Sequence, residues 1–132
     1  MTEILYKEEC YKIQGAIFAV YTEIGCGFLE AVYQECLARE FRLRSIPFVT
    51  QKELRLYYKG ELIDQIYCSD FICYDKIILE LKAIQDVTPA HKAQVLNYLK
   101  MTRLQLGLLA NFGHYPGATV DRIVNSFDFQ RE

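Results

Sequence analysis

The stretch 66–83 constrains the fold most, because it is apolar and rich in β-branched residues yet carries three charged side chains within its predicted strands. Its two halves predict short strands joined by a turn near 74–76, as in a hairpin that faces a core. Asp70 lies in the first strand, and Glu80 and Lys82 lie in the second. Residues two apart on a strand point to the same face, so Glu80 and Lys82 are neighbours about 6.5 Å apart.

This group of charges has two explanations. Two carboxylates about 4 Å apart repel by roughly 4 kcal/mol at an effective dielectric constant near 20. A divalent cation between Asp70 and Glu80 would replace that repulsion with coordination, since magnesium and manganese prefer oxygen ligands. Alternatively, Lys82 neutralises one carboxylate in a structural ion pair, which needs no function. The hairpin alone leaves both explanations open.

The length of the hairpin loop decides whether the two acids can meet. A two-residue loop at 75–76 would place Asp70 opposite Leu81, and the two acids would then point to opposite faces of the sheet. A three-residue loop or a bulge would instead place Asp70 opposite Glu80 or Lys82. A shared acidic site therefore requires a loop of odd length or a bulge.

The composition limits the class of protein. With 132 residues, of which 52% are hydrophobic and 24% charged, the chain predicts one domain over residues 1–132 with a substantial core. Its net charge of −2 gives no general attraction for nucleic acid, so such binding would depend on a local patch. The five cysteines form no C-x-x-C pair and accompany only two histidines, which argues against a zinc site. Without a signal peptide or a membrane-length apolar run, we expect a cytoplasmic protein with reduced cysteines and no membrane partner.

The remaining patterns predict two helices before the hairpin and one after it. Apolar residues at helical spacing mark the helices, and Gly25 and Gly27 separate the first two. Thr88 is the predicted N-cap of the third helix and Pro89 its first residue. The order predicts an α/β or α+β domain with a mixed sheet flanked by helices. The predicted helices span about 7–23, 29–44 and 88–102, and the predicted strands span 48–58, 61–74, a segment ending near 84, 104–111 and 118–124.

Three further residues are ambiguous when each is taken alone. Glu30 lies in the first turn of the second helix, where the helix dipole favours a carboxylate in any protein. Gln94 and Tyr98 lie four residues apart on one face of the third helix. That spacing is also usual for a polar surface residue beside a partly buried ring. None of the three is assigned to a site on these grounds.

Taken in order along the chain, these motifs resemble the PD-(D/E)XK nuclease superfamily. They resemble most its small GxxExxY family, which shares features with RecB-like nucleases. The resemblance covers about residues 7–113, and Ser69 departs from it where the superfamily name has proline. The matching segments are Gly27–Tyr33 for GxxExxY, Asp70 followed by Glu80-Leu81-Lys82 for the acid and (D/E)XK, Gln94–Tyr98 for QxxxY, and Gly107–Gly113 for the closing strand.

The resemblance implies a restriction-endonuclease-like αβββαβ core and a metal site on it. Asp70 and Glu80 would hold Mg²⁺ or Mn²⁺, and Glu30 and the backbone carbonyl of Leu81 would complete the site. Lys82 would orient or deprotonate the attacking water. Gln94 would position Lys82 or the phosphate, which makes these two residues and the two acids the implied catalytic set.

The implied activity is metal-dependent hydrolysis of phosphodiester bonds in DNA or RNA, with DNA favoured. Tyr98 would contact the nucleic-acid backbone, while Lys92, Lys100 and Arg103 would supply a local positive field. The alternative is a catalytically silent binding or assembly module with the same fold. Small size and an acidic composition favour this alternative, or an enzyme that needs a homodimer or a protein partner.

Overall fold

The computed structural model describes residues 4–126, which form three helices and five strands. The ends of the predicted domain, 1–3 and 127–132, lie outside the described residues. Among the described residues, no helix is long and apolar enough to cross a membrane. The elements are α1 Lys7–Ile24, α2 Glu30–Leu43, β1 Phe48–Tyr58, β2 Glu61–Cys73, β3 Ile77–Lys82, α3 Pro89–Thr102, β4 Leu106–Asn111 and β5 Thr119–Val124.

The five strands form one mixed sheet with the order β1-β2-β3-β4-β5. Only β3 and β4 pair in parallel, whereas the other neighbours are antiparallel. The parallel pair is connected through α3, as a parallel connection requires. The predicted α+β class and mixed sheet are therefore confirmed, and the architecture is that of a restriction-endonuclease-like fold.

The two faces of the sheet pack against different helices. On one face, Ile77, Leu79 and Leu81 of β3 join the large core cluster formed with α1 and α2. On the other face, Ile72 and Ile78 pack with residues of α3. Because side chains alternate along a strand, Glu80 and Lys82 of β3 share the α3 face with Ile78.

Local signals fixed the bounds of several elements as predicted. β1 covers Phe48–Tyr58, and α3 runs from Pro89 to Thr102 behind the N-cap Thr88. The partner of that cap is His91, whose Nδ1 accepts the backbone N–H of Thr88 at 3.0 Å. β3 and β4 are shorter than predicted, since regular pairing between them covers only Ile77–Lys82 and Leu106–Asn111.

β1 and β2 extend well past the end of β3. These strands have 11 and 13 residues, whereas β3 has 6. β2 pairs with β3 only from Phe71 to Cys73, but its pairing with β1 continues to Glu61. Residues 52–69 therefore form a two-stranded projection beyond the C-terminal end of β3, which we call the hairpin arm.

Two glycines, one in β4 and one just after it, let neighbouring segments of the chain pack closely against them. A Cβ on Gly107 would lie 2.5 Å from Cγ1 of Val95, so the absence of a side chain lets α3 pack directly on the strand. A Cβ on Gly113 would collide with the backbone N and O of Ile84 just after β3. The chain segment that leaves β3 is thereby held against the segment that leaves β4.

We expect Gly113→Ala to destabilise the protein, because backbone atoms rather than a flexible side chain would have to move. Overpacking typically costs about 1–3 kcal/mol. Gly117→Ala is the matched control, since a Cβ there would meet no atom within 4 Å. Urea denaturation of both variants measures the free energy of unfolding. Equal losses in the two variants would contradict this account of Gly113.

Candidate active site

A three-residue loop brings the two acids of the central hairpin into register. β2 and β3 pair Cys73 with Ile77 and Phe71 with Leu79, so the next position in register places Asp70 opposite Glu80. The loop 74–76 closes with the Lys76 N–H donating to the Cys73 carbonyl at 3.1 Å. This is the loop of odd length that a shared acidic site requires.

Beyond that register the acids replace the regular backbone pairing of the strands. The backbone N–H of Asp70 donates to Oε1 of Glu80 at 3.0 Å, and the N–H of Leu81 donates to Oδ2 of Asp70 at 2.9 Å. Each carboxylate thus reaches across to the opposing strand. The reciprocal bonds hold Asp70 and Glu80 side by side at the point where β2 and β3 stop pairing.

The close approach of Asp70 changes the protonation of Glu80. Glu80 is only 5% exposed. Burial and the neighbouring charge of Asp70 raise the pKa of Glu80 to about 9, although the Asp70 N–H and the charge of Lys82 act in the opposite direction. At neutral pH Glu80 therefore keeps its proton in the metal-free protein.

Lys82 is held by Gln94 rather than by a carboxylate. Its Nζ donates to Oε1 of Gln94 at 3.3 Å, and Gln94 projects from the first half of α3. Within the described part of the chain, Lys82 forms no ion pair. The direct ion pair required by the structural explanation of this group of charges is thus absent from the described residues.

Tyr33 fixes the loop that precedes Glu30, the first residue of α2. The ring of Tyr33 is fully buried and stacks on Phe112 with the ring centroids 4.5 Å apart. Its hydroxyl donates to the Gly25 carbonyl at 2.6 Å and accepts the N–H of Phe28 at 3.3 Å. Because Glu30 lies one turn before Tyr33 on α2, the same helix that anchors the loop also sets the position of Glu30.

Glu30 lies near the acid pair without joining it. Desolvation raises the pKa of Glu30, the charge of Asp70 raises it further, and the charge of Lys82 lowers it. Among residues 4–126, however, no group of three or more His, Cys, Asp or Glu side chains is arranged to hold a metal ion. The structure therefore brings Asp70 and Glu80 into contact and leaves Glu30 outside that contact.

Tyr98 lies close enough to the acid pair for the charges of both acids to act on it. The residue is 6% exposed and belongs to the small cluster between α3 and the sheet. Burial raises the pKa of Tyr98 to about 12, and the charges of Glu80 and Asp70 contribute to that shift. Its phenol is therefore a neutral hydrogen-bond donor at physiological pH.

The basic residues of α3 lie away from this group. Lys92 and Lys100 are two and six residues from Gln94, which puts both more than about 100° around the helix from it. Lys92 forms an ion pair with Asp121 of β5 at 3.8 Å, and Arg103 is the left-handed residue that caps the end of α3. The structure does not bring the lysines to the acid pair.

Sequence reasoning missed Asn111 as a supporting residue. Its buried Oδ1 accepts the N–H of Ile84 at 3.1 Å and the N–H of Gly113 at 3.0 Å. Next to it, the N–H of Phe112 donates to the Lys82 carbonyl at 2.8 Å. These bonds fix the chain just after Lys82. The sequence feature that could have identified Asn111 is that it is the single polar residue in the apolar run 106–112.

The chain is similar to known proteins in its sequence family and in its fold. A family model for the PD-(D/E)XK nuclease superfamily matches residues 7–123. Among solved structures, the crystal structure of SSO0001 matches with a TM-score of 0.58 and 17% sequence identity, over 96% of this chain. The match spans only 60% of the SSO0001 chain, and at this identity the likeness shows the fold alone. No curated protein matches the sequence.

We expect the metal-free protein to lose stability as the pH rises. Glu80 keeps its proton in the folded state up to a pKa of about 9, whereas its ordinary value is 4.5. Between these values the folded state binds more protons than the unfolded state, so the free energy of unfolding falls with rising pH. Glu80→Gln removes this titration and should flatten the profile. Urea denaturation in EDTA across this range measures the effect, and identical slopes for both proteins would refute it.

Proposed function

The chain belongs to the PD-(D/E)XK nuclease superfamily, and from that premise we propose that it is a metal-dependent nuclease that hydrolyses phosphodiester bonds. The observation that carries the proposal is the contact between Asp70 and Glu80, with Lys82 on the same face of the sheet. A buried Glu80 held against the half-buried Asp70 at the end of two strands is costly, and a catalytic site gives a reason to retain this pair.

The donor set suits a hard divalent cation, and members of the superfamily usually use such ions. Asp70 and Glu80 offer two carboxylates, which is a common protein contribution to a Mg²⁺ site whose other ligands are water and phosphate. The Leu81 carbonyl and a water held by Glu30 would complete the shell. Bound Mg²⁺ or Mn²⁺ would stabilise charge on the scissile phosphate and lower the pKa of a coordinated water.

Lys82 and Gln94 form the second part of the proposed catalytic set. The hydrogen bond between them restricts the ammonium of Lys82 to the face that carries Glu80. From there Lys82 would orient the attacking water or accept its proton. A positioned group of this kind typically contributes about 10²–10⁴-fold to the rate.

The α3 helix would also provide contacts to the substrate. Tyr98 stays protonated, so its hydroxyl would donate to a phosphate oxygen beside the acids. Lys92, Lys100 and Arg103 would attract the substrate from a distance rather than contact the reacting phosphate. DNA is the favoured substrate over RNA.

We also propose a specific family within the superfamily and a cellular location for the protein. The position of Glu30 at the start of α2 and the bond from Tyr33 to the preceding loop support membership of the GxxExxY family, and the bond from Lys82 to Gln94 supports its RecB-like branch. The five cysteines are all unpaired, which supports a cytoplasmic location.

A catalytically silent binding or assembly module is the second candidate. Two observations favour it. The chain carries a net charge of −2, and Glu30 does not join the acid pair as a third ligand among the described residues. Such a module would act through a homodimer or a protein partner.

We expect the purified protein to cleave nucleic acid in Mg²⁺ or Mn²⁺ and to stop in EDTA. Lys82→Ala should retain the fold but lose about 10²–10⁴-fold in rate, because it removes the group that orients the water. Lys12→Ala is the matched control, since Lys12 is an exposed lysine of α1, a helix on the other face of the sheet. Cleavage of single-stranded DNA, duplex DNA and RNA is followed on gels. An inactive wild type, or a Lys82→Ala variant as fast as wild type, would leave the silent module as the better account.

A further inference from the structure

The hairpin arm passes the acid pair and carries an aromatic ring there. Tyr67 lies on β2 three residues before Asp70, at the base of the arm. Its ring centroid lies 6.1 Å from that of Tyr98, a residue on which the charges of Glu80 and Asp70 act. The acid pair is thus bordered on the arm side by a tyrosine that is not part of the proposed catalytic set.

One side of Tyr67 is held in place and the other is open. Tyr67 pairs in register with Leu54 of β1, which is buried and packs in the same cluster as Tyr98. Tyr67 itself remains 41% exposed. A ring fixed by its neighbours loses little conformational freedom when a ligand covers its open side.

The charge of the arm favours contact with bases over contact with phosphates. Its three cations are balanced by three carboxylates, so the arm as a whole offers no net attraction to a phosphate backbone. Stacking of a base on an aromatic ring requires no net charge and tolerates any base. Only an unpaired base has a free face for this contact. The charged residues concerned are Lys52, Arg55 and Lys59, and Glu53, Glu61 and Asp64.

Pairing of the arm with another strand is less favourable. β1 is an edge strand, but Gln51 has a φ of 52° and the register shifts between Arg55 and Tyr57. Irregularities of this kind, together with lysines such as Lys52 and Lys59, protect sheet edges from addition of a further strand.

We propose that Tyr67 stacks on an unpaired base next to the scissile phosphate, so that the substrate is single-stranded or locally unpaired nucleic acid. This inference rests on the proposed nuclease function. It adds a substrate-binding residue on the arm and selects a substrate class among those that the acid pair alone would accept.

The test measures binding of short fluorescein-labelled oligonucleotides in EDTA, where no metal-dependent cleavage occurs. Loss of one base–ring stack corresponds to about a 5- to 150-fold loss of affinity. We expect Tyr67→Ala to weaken single-strand binding within this range and to change duplex binding little. Tyr67→Phe keeps the ring and should bind like wild type. Tyr11→Ala is the control, because Tyr11 is a 79% exposed tyrosine of α1 far from the arm in the fold.

Kinetics separates this role from a structural one. Tyr67→Ala should raise KM for single-stranded substrate with little change in kcat, whereas a misfolded site would lower kcat. The inference is overturned if wild type does not prefer single strands, if Tyr67→Ala binds them like wild type, or if Tyr67→Phe fails as badly as Tyr67→Ala. A wild type that binds single strands through Tyr67 but never cleaves them would instead overturn the nuclease proposal alone.

Discussion

The reciprocal bonds between Asp70 and Glu80 determine the rest of the site. Each carboxylate accepts a backbone N–H from the partner's strand, at 3.0 Å and 2.9 Å. These bonds compensate part of the cost of placing Asp70 beside the buried Glu80, and the proton that Glu80 keeps compensates more of it. They also occupy the place where β2 and β3 would otherwise continue to pair. The end of that pairing frees the hairpin arm and opens the sheet beside Lys82.

The surrounding elements hold this end of the sheet in place from several sides. β3 is buried on both faces, so its position is fixed by two separate clusters. Asn111 accepts a hydrogen bond from the chain as it leaves β3, and Gly113 lets that segment pack closely. Tyr33 does the same for the loop before Glu30. The proposed catalytic groups therefore project from a framework whose supporting hydrogen bonds are at least partly buried. A site in which small shifts of position are costly requires such support.

Local patterns in the sequence were sufficient for the elements and insufficient for the contacts. The bounds of β1 and α3 follow from alternation and from a Thr-Pro helix start, which are short-range signals. The three-residue loop was not determined, because Tyr74 and Asp75 adopt positive φ without the glycine that usually marks such a turn. The hydrogen bonds in which the Asp70 and Glu80 carboxylates replace backbone carbonyls as acceptors depend on the register that this loop sets. Lys92 pairs with Asp121, a contact between distant segments that no local pattern carries.

The proposed function requires that Asp70 and Glu80, which is protonated in the metal-free protein, together bind a divalent metal ion. Isothermal titration calorimetry with Mn²⁺ at neutral pH, repeated in buffers of different ionisation enthalpy, measures the protons released on binding. Since Glu80 holds a proton at neutral pH in the metal-free protein, we predict release of about one proton per bound ion. Glu80→Gln should abolish the release. Binding without proton release, or no binding by the folded wild type, would contradict the account.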